Sequence, residues 1–300
     1  MQSLRLVAPA GFQFRSTVLS HGWCVLHPFG YDEASGQVTR VQRLGDGSLI
    51  HLTMSAGETP DEVAVRVDGF EAPLTPGQQA EVETAVGRIL GFDQRVEAFH
   101  AVARTLPGYD WVERAGAGRM LVSPTVWEDL AKTLLTTNTT WRMTKDMVAR
   151  LVTLGDADAL GRHSFPTPEQ VAALGSDVLN AHVRAGYRGA YLHALALDIA
   201  EGRLDPERWR DPALKGADVY REMIGLKGFG PYAAGAMMRL VGHFDELGLD
   251  SVCRATFRTL WNNGEPATDR EIAAFYAPFG RWRGLAVWMD VMRDEIVNGG

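Results

Sequence analysis

The string Ile224-Gly225-Leu226-Lys227-Gly228-Phe229-Gly230-Pro231-Tyr232-Ala233-Ala234 makes one helix stop and another start within a few residues. Gly228 and Gly230 allow a tight turn with positive φ. Pro231 suits the first position of the next helix, where its missing N–H is no loss. The apolar run then continues through Met238 and Leu240. Two helices joined by a glycine turn are the expected local structure. The unpaired N–H groups at the start of the second helix can hold a phosphate oxygen, and Lys227 adds a positive charge. The same string also reads as a close-packed corner between two helices.

The rest of the chain divides by its hydrophobic period. Ile50, Leu52 and Met54 alternate in Ser48–Met54 and predict a half-buried strand. Gly45-Asp46-Gly47 supplies a turn before it, which makes Gln37–Leu44 its hairpin partner. The apolar residues of that partner fall every third position, so its β-branched content carries the assignment. Trp23–Leu26 and the alternating Glu62–Val67 are two further strand candidates. Thr75-Pro76 then reads as a helix start, as does Ser123-Pro124, and Thr167-Pro168-Glu169-Gln170 is a capping box. Beyond residue 75 only helices are expected. The expected fold class is therefore α+β and mainly α. A small antiparallel β-rich N-terminal domain (1–74) precedes a helical domain (75–300).

Composition excludes several classes of function. The chain has 300 residues, 46% hydrophobic and 22% charged, which is ample for a buried core and too apolar for disorder. It shows neither an apolar run long enough for a membrane span nor a signal peptide, so a cytoplasmic, nucleoid-associated protein without membrane partners is expected. Two cysteines, Cys24 and Cys253, exclude a four-cysteine cluster, and the eight histidines lack metal-ligand spacing. No metal site or cofactor is expected, and the hairpin is left open as a site for a monovalent cation. The net charge of −7 argues against a binder that relies on bulk electrostatics. Residues 111–300, with 22 basic and 24 acidic side chains, are nearly neutral and leave room for a local basic face.

The hairpin string resembles the helix-hairpin-helix of DNA base-excision glycosylases, in both the 3-methyladenine glycosylase II and the 8-oxoguanine glycosylase branches. In that superfamily a Gly/Pro-rich stretch and a catalytic aspartate follow the hairpin. Here Gly242–Asp250 follows it, and Asp250 lies 18 residues after Tyr232. Lys227 replaces the usual hairpin proline, and the stretch before Asp250 has no proline. Three further segments are similar, in the same order. Leu134–Trp141 with Met147–Leu151 looks like the helix pair that fills the gap left by an extruded base. Ala185-Gly186-Tyr187-Arg188 resembles a Gly-Tyr-Arg element, and Phe279–Ala286 resembles the helix start that closes the pocket. The β-rich start is also similar to the N-terminal domain of these branches.

The resemblance implies that Asp250 is the catalytic carboxylate. Cleaving an N-glycosidic bond builds positive charge on the sugar, which a neighbouring carboxylate stabilises. Asp250 also reads as the N-cap of the helix beginning at Ser251, and the two roles are compatible. Asp245 and Glu246 read as solvated loop charges. Bifunctional relatives carry a lysine where Tyr232 stands, so the resemblance implies a monofunctional enzyme. The base must leave the duplex, and aromatic faces in a pocket offset the lost stacking. Tyr232, Trp282 and Trp288 are the candidates, with core packing as their other reading. Asn138 is the candidate to enter the vacated space or, alternatively, to cap a helix end. Gly228, Gly230, Lys227 and Arg254, with Arg142, Lys145 and Arg258, are candidate DNA contacts. The expected partner is double-stranded DNA carrying a damaged base, bound by a monomer. The expected substrate is an alkylated base of the 3-methyladenine type. The alternatives are excision of an oxidised or deaminated base, and a non-enzymatic binder of damaged DNA.

Overall fold

The computed structural model describes residues 1–70 and 72–298. The expected domains, 1–74 and 75–300, thus include Glu71 and residues 299–300, which lie outside the described residues. Five strands form one antiparallel sheet: β1 (Gln2–Val7), β2 (Phe29–Asp32), β3 (Gln37–Arg43), β4 (Leu49–Ala56) and β5 (Glu62–Asp68). Their order across the sheet is β1-β5-β4-β3-β2. The β3–β4 hairpin aligns Val38 with Met54 and Arg40 with Leu52.

The irregular spacing in β3 has a physical cause. Of the two positions between Val38 and Leu44 that alternation would give to apolar side chains, one is held by Arg40, which is buried, and the other by the half-buried Gln42. The Arg40 guanidinium pairs with Glu128 at 3.1 Å, both side chains being 2% exposed. Lys132 Nζ reaches the other oxygen of Glu128 at 2.7 Å. The helix Val126–Thr136 is thereby tied to the sheet by a buried charge cluster.

Trp23–Leu26, expected to be a strand, is instead part of a 3-10 turn, Gly22–Val25. The buried Trp23 directs its indole N–H to Asp129 Oδ1 at 2.7 Å, so this segment leaves the sheet and packs on the helices. The helix expected at Ser123-Pro124 starts at Val126, because Thr125 provides the cap, accepting from the Glu128 N–H. Thr75 and Thr167 both form capping boxes at the expected starts, Pro76 and Pro168.

β5 ends at Asp68 and the first long helix runs from Pro76 to Ile89. One continuous apolar core extends through the sheet and the helices. Two helices run deep within it: Val126–Thr136, buried at ten consecutive residues from Val126 to Leu135, and Pro231–Leu240, the central helix of the hairpin, buried at eight from Ala233 to Leu240. Such all-round burial marks elements about which the others pack. Among the described residues no helix is long and apolar enough to cross a membrane.

Candidate functional site

The hairpin consists of the helices Gly216–Gly225 and Pro231–Leu240 with a five-residue turn between them. Of the two glycines expected to need positive φ, only Gly228 does, at +89°. Gly230 is extended, with φ −87° and ψ −175°, and caps the second helix. A Cβ on Gly228 would lie 2.6 Å from Leu134 and 2.8 Å from Tyr191, so this turn seats directly on neighbouring helices. Lys227 is exposed on it.

The stretch after the hairpin crosses the central helix at very close range. A Cβ on Gly235 would stand 2.4 Å from the Gly248 Cα, and Gly248 itself has φ +56°. The start of the C-terminal helix, Arg283–Asn298, holds the same stretch from the other side. Gly284 N–H donates to Phe244 O at 2.8 Å, and Arg283 Nε donates to Asp245 O. This clamp delivers Asp250 to the N-terminus of the helix Ser251–Trp261. There Asp250 Oδ1 accepts from the Cys253 N–H at 2.7 Å. Oδ2 takes no hydrogen bond among the described residues. The carboxylate is therefore oriented through one oxygen and available through the other.

Asp250 borders a cavity of about 830 Å³. Tyr232, Trp288, Asn138 and Arg254 also line it, so the structure brings five of the sequence-predicted residues together. Tyr232 presents its phenol beside Thr136, 3.4 Å away, and burial pushes its ionisation above the ordinary tyrosine range. Trp288 donates its indole N–H to Ser20 O at 2.9 Å, which fixes the ring.

The other assignments come out differently. Trp282 lies outside the cavity. It stacks on Phe244 at 5.2 Å and contacts Phe99 at 5.9 Å, as a core aromatic. Gly228, Gly230 and Lys227 belong to the hairpin turn and do not line the cavity. Arg254 is committed to a bidentate pair with Asp269 at 2.7 and 2.9 Å, which cancels most of its charge. By contrast Arg142, Lys145, Lys227 and Arg258 are exposed and make no ion pair among the described residues.

Asn138 adopts a left-handed conformation, φ +45°. Arg188 secures this loop by donating to Thr137 O and Asn138 O, and the Asn138 amide reaches the exposed Tyr187 hydroxyl at 3.2 Å. Trp141, 42% exposed, stands at the cavity against Gly22.

Sequence reasoning missed further residues that line the cavity with Asp250: His21, Gly22, Trp23 and, from the helix Pro231–Leu240, Arg239. Burial, reinforced by the charges of Arg239 and Lys132, holds the His21 imidazole down to about 3, so it is neutral. Its Nδ1 is buried without a hydrogen-bond partner. Arg239 is 1% exposed, donates to Leu247 O at 2.8 Å, and lies 5.0 Å above the Trp288 ring.

No family model and no curated protein matches this sequence. Solved structures do. A 3-methyladenine DNA-glycosylase from Archaeoglobus fulgidus superposes with a TM-score of 0.75 at 18% identity, covering 98% of each chain. The chain has the glycosylase fold. MBOgg1, solved with a low-affinity DNA ligand, gives a TM-score of 0.71 at 17% identity over 97% of this chain and 96% of the other. A Clostridium acetobutylicum 8-oxoguanine glycosylase/lyase gives 0.72 at 15% identity, again over 97% and 96%. The likeness thus spans the whole architecture, sheet and helices together, and is one of fold.

Proposed function

We propose that this protein is a monofunctional DNA glycosylase that removes a damaged base from double-stranded DNA. The observation that carries the reading is the placement of Asp250. Its carboxylate is held at a helix N-terminus, with one oxygen free, beside a cavity of about 830 Å³ that is ample for an extruded base. In the proposed reaction the damaged nucleotide turns out of the duplex and its base enters between Tyr232 and Trp288. As the C1′–N bond breaks, positive charge builds on the sugar, and Asp250 stabilises it and directs water to C1′. Base and abasic site are the products. The reaction needs no cofactor.

The absence of a strand-cleaving step rests on chemistry at the hairpin. By the resemblance, bifunctional relatives place an amine where Tyr232 stands, and a phenol cannot form a Schiff base. None of the four lysines in the chain lines the cavity. The exposed Arg142, Lys145, Lys227 and Arg258 are the proposed phosphate contacts. Asn138, on its pinned loop beside Tyr187, is proposed to enter the gap in the stack.

Tyr232 and Trp288 supply aromatic faces on which any flipped base can stack, the expected alkylated base of the 3-methyladenine type included. A second reading, excision of an oxidised or deaminated base, is favoured by one observation, the buried guanidinium of Arg239 in the cavity wall. The test of the proposal is single-turnover release of free base from duplexes carrying single defined lesions. Base release that disappears in Asp250→Asn, with the DNA strand left uncut, is the expected result. An Asp250→Asn protein as fast as the parent refutes the catalytic assignment. Undiminished duplex binding without release of any base leaves the binding-only role.

A further inference from the structure

Six charged residues line the cavity: Arg15, Glu33, Arg239, Asp250, Arg254 and Glu295. Arg239 alone among them is buried. A buried guanidinium ordinarily has a carboxylate beside it, because desolvating an unpaired charge is costly. Arg239 has none within ion-pair distance among the described residues. Of its five N–H donors, one is taken, by Leu247 O. Its guanidinium lies 5.0 Å over the face of Trp288, with Asp250, Tyr232 and Cys253 close enough to favour its charged form without bonding it. The electron-rich face on which a cationic base would rely is therefore shared with a resident cation. Beside this pair stands His21, its ring 5.4 Å from that of Trp288, with an unpartnered Nδ1.

Resting on the glycosylase reading above, we infer that the cavity takes a neutral damaged base bearing a carbonyl oxygen, an oxidised or deaminated base, and rejects a methylated cationic one. Arg239 and His21 make that choice. A cation placed against Trp288 meets like charge in a site too deep for water to screen it. A carbonyl oxygen in the same place meets a positive potential and unfilled donors. Asp250 lies near enough to favour the charged form of Arg239 but makes no ion pair with it, so the unfilled guanidinium donors remain available to the base. The neutral His21 can donate or accept, as the base edge requires, without adding a second charge.

The experiment compares hypoxanthine and 8-oxoguanine with 7-methylguanine and 3-methyladenine, each in one duplex context. Single-turnover release is expressed as enhancement over spontaneous loss, since methylated purines depart faster unaided. The parent protein is expected to favour the neutral lesions by at least about tenfold. Arg239→Met should erase that ratio, and Arg239→Lys, which keeps the charge, should retain most of it. A merely structural role for Arg239 would lower thermal stability in the Met variant and leave the ratio where it was, which would overturn the assignment. Preference of the parent for the methylated bases would overturn the inference and leave the glycosylase reading standing. Release of no base from any duplex would defeat the glycosylase reading instead. The pocket is then judged by binding of duplexes whose lesion sugar carries a 2′-fluorine that blocks cleavage. Tighter binding of the neutral lesions upholds it, and equal or inverted binding overturns it.

Discussion

Gly228 and Gly230 are two residues apart in the hairpin, yet a methyl group should act on them in different ways. At Gly228 φ is +89°, a region L-residues rarely adopt, and holding alanine there costs about 1–3 kcal/mol. The new Cβ would also stand 2.6 Å from the fully buried Leu134 and 2.8 Å from Tyr191, so both must move, at roughly another 1–3 kcal/mol. For a chain of this size that predicts a melting temperature lower by roughly 5–20 °C in Gly228→Ala. At Gly230 the backbone is extended and a Cβ meets nothing within 4 Å. The cost of Gly230→Ala is a poorer N-cap, at most about 1 kcal/mol. Its Cβ projects instead where a phosphate would approach the unpaired N–H groups of the Pro231 helix. Gly230→Ala should thus melt near the parent temperature and bind duplex DNA several-fold more weakly. Thermal melts and DNA titrations at one salt concentration check both. A Gly228→Ala protein that melts within a degree or two of the parent, or a Gly230→Ala protein destabilised as much, refutes this account of the turn.

Three further outcomes follow from the same geometry. Glu128→Gln leaves Arg40 and Lys132 buried without their shared carboxylate and should cost about 3–5 kcal/mol by denaturant unfolding. His21 titrates near 3 when folded and near 6.5 when unfolded, so the unfolded chain binds the extra proton between those values and stability falls as pH drops through that window. Between pH 7 and pH 5 this group should account for about 2 kcal/mol of lost stability, absent in His21→Gln; equal pH slopes for the two proteins would refute it. Borohydride added during turnover should trap no protein–DNA adduct, since Tyr232 offers no amine and no lysine lines the cavity.

The sequence showed most plainly what depends on short-range chemistry. Thr75 and Thr167 capped helices where their neighbours required it, and Ile50, Leu52 and Met54 alternated into a strand. Asp250 was legible as the N-cap of the helix that begins at Ser251, whereas its proposed catalytic role came only from the resemblance. What failed was anything decided by distant contacts. Trp23–Leu26 has strand composition, but the indole bond to Asp129 draws it off the sheet. Trp282 and Trp288 sit six residues apart in equally apolar surroundings, and only the latter faces the cavity, because Phe244 and Phe99 claim the former. Arg254 looked free until Asp269 was found opposite it.

The wall bearing His21 and Arg239 was hidden for a deeper reason. Arg239 lies in a run of alanine and methionine, where an arginine in the last turn reads as a helix-end charge facing solvent. That helix is buried on every side, so the charge has no route to water and must be used where it stands. His21 precedes a glycine and a tryptophan in what reads as a strand boundary, and neither pattern nor spacing links it to a helix more than two hundred residues away. The cavity thus draws on two kinds of information. Its rim, at Asp250 and Tyr232, is set by one continuous stretch around the hairpin. Its deep wall exists only once the N-terminal segment has folded onto the central helix. Under the proposed function, the stretch around the hairpin sets the attack on the sugar, and the contact of the two segments sets which base is held meanwhile.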